Sequence, residues 1–219
     1  MKPFAHLAVC LLVMATSAFA EPYPRVPFIF GYLPFDQSCE QWTNTHIDPQ
    51  GYTELEGKIK AFQDAWNRDG APLLEATVAE TKKPFPYDEM IVTLTLCRIS
   101  SMSRPLLVNV RPYLDGPTNQ HPRAMRMFVG DVFHELLHLY VIGARPKQTP
   151  LMERYKDEDP LVKYHLHLDA VMKMAYLKLH REDELREIIE FDSRDPPYRK
   201  AWHIVNDVEG YEAFVRELE

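Results

Sequence analysis

Hydrophobic positions in this chain change their period as it runs. From Asp48-Pro49 onward, Leu55, Ile59, Phe62 and Trp66 recur at helical spacing until Asp69-Gly70 stops the run, and Pro72 to Glu80 adds a shorter helical stretch. After Pro84-Phe85-Pro86 the pattern turns β-branched with partial alternation. Met90 to Cys97 predicts one strand and Leu106 to Tyr113, around Val108 and Val110, a second, ended by Asp115-Gly116-Pro117. From Arg123 almost to the C-terminus the spacing is helical again, interrupted at 143–150, at 157–160 and at Pro196-Pro197. Strands early and helices late predict an α+β fold, without the strand–helix alternation that builds a parallel sheet. Upstream of the first helix, Pro22, Pro24, Pro27 and Pro34 stand among aromatics and predict an extended surface arm over residues 21–48.

The first twenty residues read differently. A short, weakly basic start is followed by an uncharged run from Leu7 to Ala20 that ends in Ala18-Phe19-Ala20, the small-x-small pattern of a signal-peptide cleavage site. Cleavage is expected before Glu21, leaving a single domain over 21–219. The uncharged run is shorter than the roughly 20 residues that a bilayer needs, and no later segment reads as a span, so an integral membrane protein is not expected. With 25 Lys and Arg against 32 Asp and Glu the net charge is −7, and no basic cluster offsets it locally, which argues against nucleic acid as a partner. Downstream of the leader only Cys39 and Cys97 remain, and in an oxidising compartment they most simply form one disulfide. The expected location is periplasmic or secreted.

Candidate chemistry sits inside the helical run Arg123 to Ile142, where residues 134–138 read His-Glu-Leu-Leu-His. Four residues advance a helix about 6 Å and turn it about 40° past a full revolution, so His134 and His138 project from one face and can converge on one ion. Zinc accepts two imidazoles in that arrangement. Glu135 lies one step round the helix, close enough to reach a water on the metal but poorly placed to ligate it, which suits a general base. Val132, Phe133, Leu139 and Tyr140 surround the motif, so its polar groups lie on an otherwise buried helix and need something to bind them.

Val132 to Tyr140 resembles the active-site helix of the zincin metallopeptidases. The resemblance implies Zn2+ as cofactor, His134 and His138 as ligands, Glu135 as catalytic base, and a small sheet behind the helix whose edge strand aligns a peptide or protein substrate. Asp131 departs from the extended pattern, which usually has Val or Thr there. The glycine and third histidine that metzincins place at 141 and 144 are Val141 and Ala144 here, which leaves the gluzincin-like arrangement, with a third ligand on a later helix and an acid four residues on. Over Leu161 to Leu179, His165 and Asp169 share a face at that spacing, as ligand and buttressing carboxylate would. His167 points about 160° away. His165 is the expected third ligand, with His167, Glu153 and Asp169 as alternatives.

Several other residues carry weaker expectations. Tyr211, His203, Tyr176 or Arg111 can serve as oxyanion donor. His121 and His180 read as surface residues, residues 153–159 as a solvated acidic loop, and Ser100, Ser101 and Ser103 lack the glycine context of a serine nucleophile. Residues 21–48 are long enough to cover a cleft in a latent form. The leading functional expectation is a zinc-dependent metallopeptidase. The alternatives are a non-catalytic zincin-like binding or assembly protein of the same compartment, and a zinc amidase acting on cell wall.

Overall fold

The computed structural model describes residues 23–29, 33–44, 46–116, 119 and 121–219. The expected leader and its cleavage point lie outside the described residues. The chain forms a mixed α and β fold in which a small sheet and a helical C-terminal half share one hydrophobic core.

The N-terminal segment corrects the expectation of an arm laid on the surface. Val26 and Phe28 are buried, and Phe28–Ile29 forms strand β1, followed by helix α1 at Leu33–Thr43. Two alternating residues are too short a stretch to register as a strand in a periodicity window, and the prolines mask it. Helix α2, Pro49–Ala65, starts as expected: Pro49 needs no partner for its nitrogen at the first position, and Asp48 Oδ1 accepts the Gln50 N–H at 2.9 Å. Asp69-Gly70 does not end the helical path. A π-helical turn at Trp66–Gly70 carries it into α3, Ala71–Thr81. Gly70 is required there, because a Cβ would stand 2.2 Å from the Trp66 ring.

The two expected strands are present but shorter, as β2, Val92–Thr95, and β4, Leu106–Asn109, with a two-residue strand β3, Met102–Ser103, between them. Pro112 cannot donate to a ladder, and Arg111–Tyr113 is a 3-10 turn instead. The sheet order is β1-β2-β4-β3, with β1–β2 and β2–β4 parallel and β3–β4 antiparallel. Of the two parallel pairs, β1–β2 is bridged by helices α1 to α3, whereas β2–β4 forms with no helix between its strands. The chain leaves β2, crosses to the far edge as β3 and returns between them as β4, while β1 is delivered by the N-terminal segment.

Helix α4, Met125–Ala144, crosses behind this sheet. It is the one helix among the described residues long and apolar enough to cross a membrane, and 72% of its most apolar window is buried inside the protein. The Phe128 ring anchors its N-terminal half, 4.5 Å from Phe62, 5.4 Å from Phe28 and 5.6 Å from Tyr113 between ring centroids. One side chain thereby joins α2, β1, the 3-10 turn and α4, and its truncation to Ala would cost about 3–5 kcal/mol. The connection after α4 holds a short helix α5, Pro150–Arg154, and then α6, Pro160–Lys178, begins with Asp159 Oδ1 accepting the Leu161 N–H at 2.7 Å. Glu158 pairs with Lys200, so these two acids are occupied.

Helices α7, Glu182–Asp192, α8, Pro196–His203, and α9, Tyr211–Arg216, close the core around α6. At Gly130 a Cβ would meet Ile188 Cδ1 at 2.9 Å, so the missing side chain lets α7 approach α4. On the other side, Cys39 of α1 and Cys97 after β2 are joined by the expected disulfide, with Cα atoms 5.8 Å apart.

Candidate metal centre

Helices α4 and α6 run antiparallel, with Gly130 facing Tyr176 at one end and His138 facing His165 at the other. This pairing brings together three histidines from two helices. Ring centroids lie 4.9 Å apart for His134 and His138, 5.2 Å for His134 and His165, and 5.0 Å for His138 and His165. One nitrogen from each falls within 4.8 Å of the other two, close enough to share one metal ion.

His165 shows best that the cluster suits an ion. Its Nδ1 donates to the Leu161 carbonyl at 2.6 Å, one turn back on the same helix, which leaves the lone pair on Nε2. That Nε2 is buried and has no hydrogen-bond partner. A buried acceptor left unmet costs about 1–3 kcal/mol, and a metal beside two further imidazoles would satisfy it. Burial pushes His134 well below the usual imidazole range, His138 down to about 4, and His165 also downward. Mutual repulsion within the cluster adds to the effect at His134 and His138. All three are therefore held in the neutral, metal-ligating form at neutral pH.

Glu135 is buried at 6% exposure and lines a cavity of about 410 Å³ together with His134. Burial first, then the nearby Asp131 carboxylate, pushes its pKa up to about 8. A carboxyl poised near neutrality is suited to passing protons in both directions. Asp131, one turn earlier on α4, accepts the Tyr113 hydroxyl at 2.5 Å. The charge that departs from the extended motif is thus a hydrogen-bonded wall of the cavity.

The rest of the cavity comes from distant parts of the chain. Asn109 at the end of β4 donates from Nδ2 to the Ile99 carbonyl at 2.8 Å, and its N–H reaches Ser101 Oγ at 3.1 Å. This pins residues 99–101 so that Ser100 and Ser101 line the cavity. They serve as wall rather than as the nucleophiles whose absence the sequence suggested. Opposite them, Tyr198 of α8 stands with its ring 4.3 Å from His165 and 6.2 Å from His134. Burial, then the surrounding carboxylates, raises its hydroxyl to about 12, so it remains a donor.

Tyr198 was not among the expected oxyanion donors, and none of those lines this cavity. Tyr211 lies against Lys173, His203 pairs with Asp207 on the surface, Tyr176 is buried against Gly130, and Arg111 lines a different cavity. The Pro196-Pro197 that starts α8 is the one sequence signal near Tyr198, and it marks only a helix start.

The alternatives for the third position separate clearly. His167 Nε2 bonds Glu217 Oε2 at 2.8 Å on the opposite side of α6, against Phe214. Glu153 is exposed and paired with Lys156. Asp169 is buried with both oxygens unpartnered, so it makes no hydrogen bond to His134 or His138. Its carboxyl is held well above the ordinary range by burial, with Asp192 adding to the effect. His121 and His180 are exposed, as expected. No described residue of 23–44 lines the cavity, so the covering role considered for the N-terminal segment is not seen there. Comparison of the chain with protein-family models, with curated proteins and with solved structures found no match.

Proposed function

We propose that this chain is an extracytoplasmic zinc-dependent peptidase. The observation that carries the reading is the His134, His138 and His165 cluster, with an orphaned, buried His165 Nε2 facing it and the Glu135 carboxyl beside it. Three neutral imidazoles next to an open cavity match the donor set of a catalytic rather than a structural zinc site, which keeps one position free. The His-Glu-Leu-Leu-His spacing and its likeness to the zincin helix support the same reading, as does the disulfide for an oxidising compartment.

When bound, zinc supplies Lewis-acid polarisation of a carbonyl and acidification of a water. The chain's own residues do the rest. Glu135 takes the proton of the attacking water and returns it to the leaving amine, a role that a pKa of about 8 favours in both directions. The Tyr198 hydroxyl donates to the carbonyl oxygen as negative charge builds on it. Ser101 and Asn109 fix the wall along which the substrate backbone lies.

The test is metal analysis of protein purified without chelators, together with hydrolysis of a broad peptide library. About one zinc per chain and peptide cleavage are expected. Glu135→Gln should keep the metal and lose activity by about 10²–10⁴-fold. Metal-free protein, or a fully active Glu135→Gln variant, would overturn the proposal. Cleavage confined to cell-wall amides would replace the peptidase with an amidase.

A further inference from the structure

Two arginines from separate elements reach the same wall of the cavity. Arg123 comes from the segment before α4 and Arg194 from the turn between α7 and α8, and both line the space shared with His134 and Glu135. Their guanidinium carbons stand 4.0 Å and 5.2 Å from the centroid of one ring, Phe191. Neither forms an ion pair among the described residues, although Asp131, Asp192 and Asp195 line the same cavity. Two of those acids are occupied, Asp131 by the Tyr113 hydroxyl and Asp192 by Trp202 Nε1 at 3.1 Å. An arginine stacked on an aromatic ring can still present its in-plane N–H groups to a carboxylate, and Arg123 keeps the rest of its fork after donating to the Tyr113 hydroxyl.

Resting on the peptidase reading, we infer that Arg123 and Arg194 form a carboxylate-recognition subsite that selects substrates carrying a carboxylate close to the scissile amide. The cavity volume of about 410 Å³ fits this, because it lies in the range of small-ligand sites rather than of a long groove. The Phe191 ring orients both guanidiniums, and Arg123 is further held by a hydrogen bond to the Tyr113 hydroxyl. The carboxylate comes either from a chain terminus or from an acidic side chain. The chemistry of recognition is the same.

Binding can be read apart from hydrolysis by passing peptide pools over immobilised, zinc-loaded Glu135→Gln protein and measuring retention by mass spectrometry. The pools are random N-acetyl tripeptides without Asp or Glu as free acids, the same peptides as amides, and amides containing one Glu. At least one carboxylate pool should be retained about tenfold more strongly than the plain amides, the scale of one charged hydrogen-bonded contact. Retention of the free acids identifies a chain terminus, and retention of the Glu-containing amides identifies a side chain.

Arg194→Gln, on an exposed turn and so without consequence for folding, should remove most of the preference, and Arg123→Gln/Arg194→Gln all of it. Equal retention of all pools, no retention of any, stronger retention of lysine-bearing amides, or a preference that survives the double substitution would overturn the subsite. A preference for acids in a protein that cleaves nothing would sink the peptidase reading and leave the subsite standing. Cleavage without the preference would do the reverse.

Discussion

Asp36 and Asp169 are both fully buried aspartates, yet they sit in regions built on opposite terms. Asp36, in the disulfide-linked N-terminal region, takes hydrogen bonds from the Thr95 hydroxyl, the Leu96 N–H at 3.3 Å and the Tyr52 hydroxyl. Asp169, on α6 beside the histidine cluster, has two oxygens with no partner. The two histidines of α6 differ in what surrounds them: each bonds through one nitrogen, His165 to the Leu161 carbonyl and His167 to Glu217, and each leaves the other nitrogen without a partner, but only His165 stands beside two further imidazoles. Buried polar groups are normally satisfied, so the N-terminal region is held by its own bonds, while the α4–α6 face is arranged for something that the chain itself does not supply.

If that division is right, stability and metal binding should come apart under mutation. The largest stability loss is expected from Cys39→Ser/Cys97→Ser. A cross-link over a separation of 58 residues contributes about 4 kcal/mol in the chain-entropy account, or roughly 8–16 °C in melting temperature for a chain of this size. Zinc content at 25 °C should be unchanged. Loss of metal together with the disulfide would show that the two regions are one unit.

The next contrast lies within α6. His167→Leu takes the imidazole from Glu217 Oε2, although Oε1 still accepts the Leu151 N–H, and should cost about 1–3 kcal/mol, measured by urea unfolding, while zinc stoichiometry stays near one. His165→Leu should do the opposite. In the metal-free protein it removes an unmet acceptor and leaves stability level or slightly raised, while metal affinity falls by more than about 100-fold, beyond what loss of an outer partner costs. Equal destabilisation by both substitutions would reduce His165 to a packing residue.

Much of this division was legible in the sequence, and the limits are physical. His134, Glu135 and His138 are fixed by helical geometry, and His165 with Asp169 follows from the same geometry once a connection long enough to reverse the chain precedes them. The α2 start at Asp48-Pro49 follows from capping chemistry. Tyr198, Ser101, Arg123 and Arg194 were invisible as site residues, because nothing local marks them: the packing of α7 and α8 brings Tyr198 and Arg194 to the cavity, the Asn109 hydrogen bonds bring Ser101, and the segment before α4 brings Arg123. Strands β1 and β3 are two residues each, too short for any period. The parallel pairing of β2 with β4 depends on a crossover that no local pattern encodes. The expected buttress was half legible: Asp169 occupies the position, but it bonds neither histidine.

The smallest effect is the most discriminating, because it asks whether the two aspartates differ as their partners say. Burial raises both carboxyls above the ordinary aspartate range, but three hydrogen bonds oppose it at Asp36, while at Asp169 the nearby Asp192 adds to it. A raised folded-state pKa means that above about pH 3.9 the unfolded chain gives up its proton first. Stability contributed by the protonated group is therefore present below that pH and is lost as pH rises towards the folded value, by at most about 1.4 kcal/mol per pH unit. Urea unfolding of metal-free protein between pH 5 and pH 7 should then show Asp169→Leu gaining on the wild type with rising pH. Asp36→Leu should be destabilising throughout, because it strands the Thr95 hydroxyl and the Leu96 N–H, and its gap from the wild type should change less with pH. Parallel curves for the two variants would mean that Asp169 has a partner in solution, and the contrast between the regions would fail at its most exposed point.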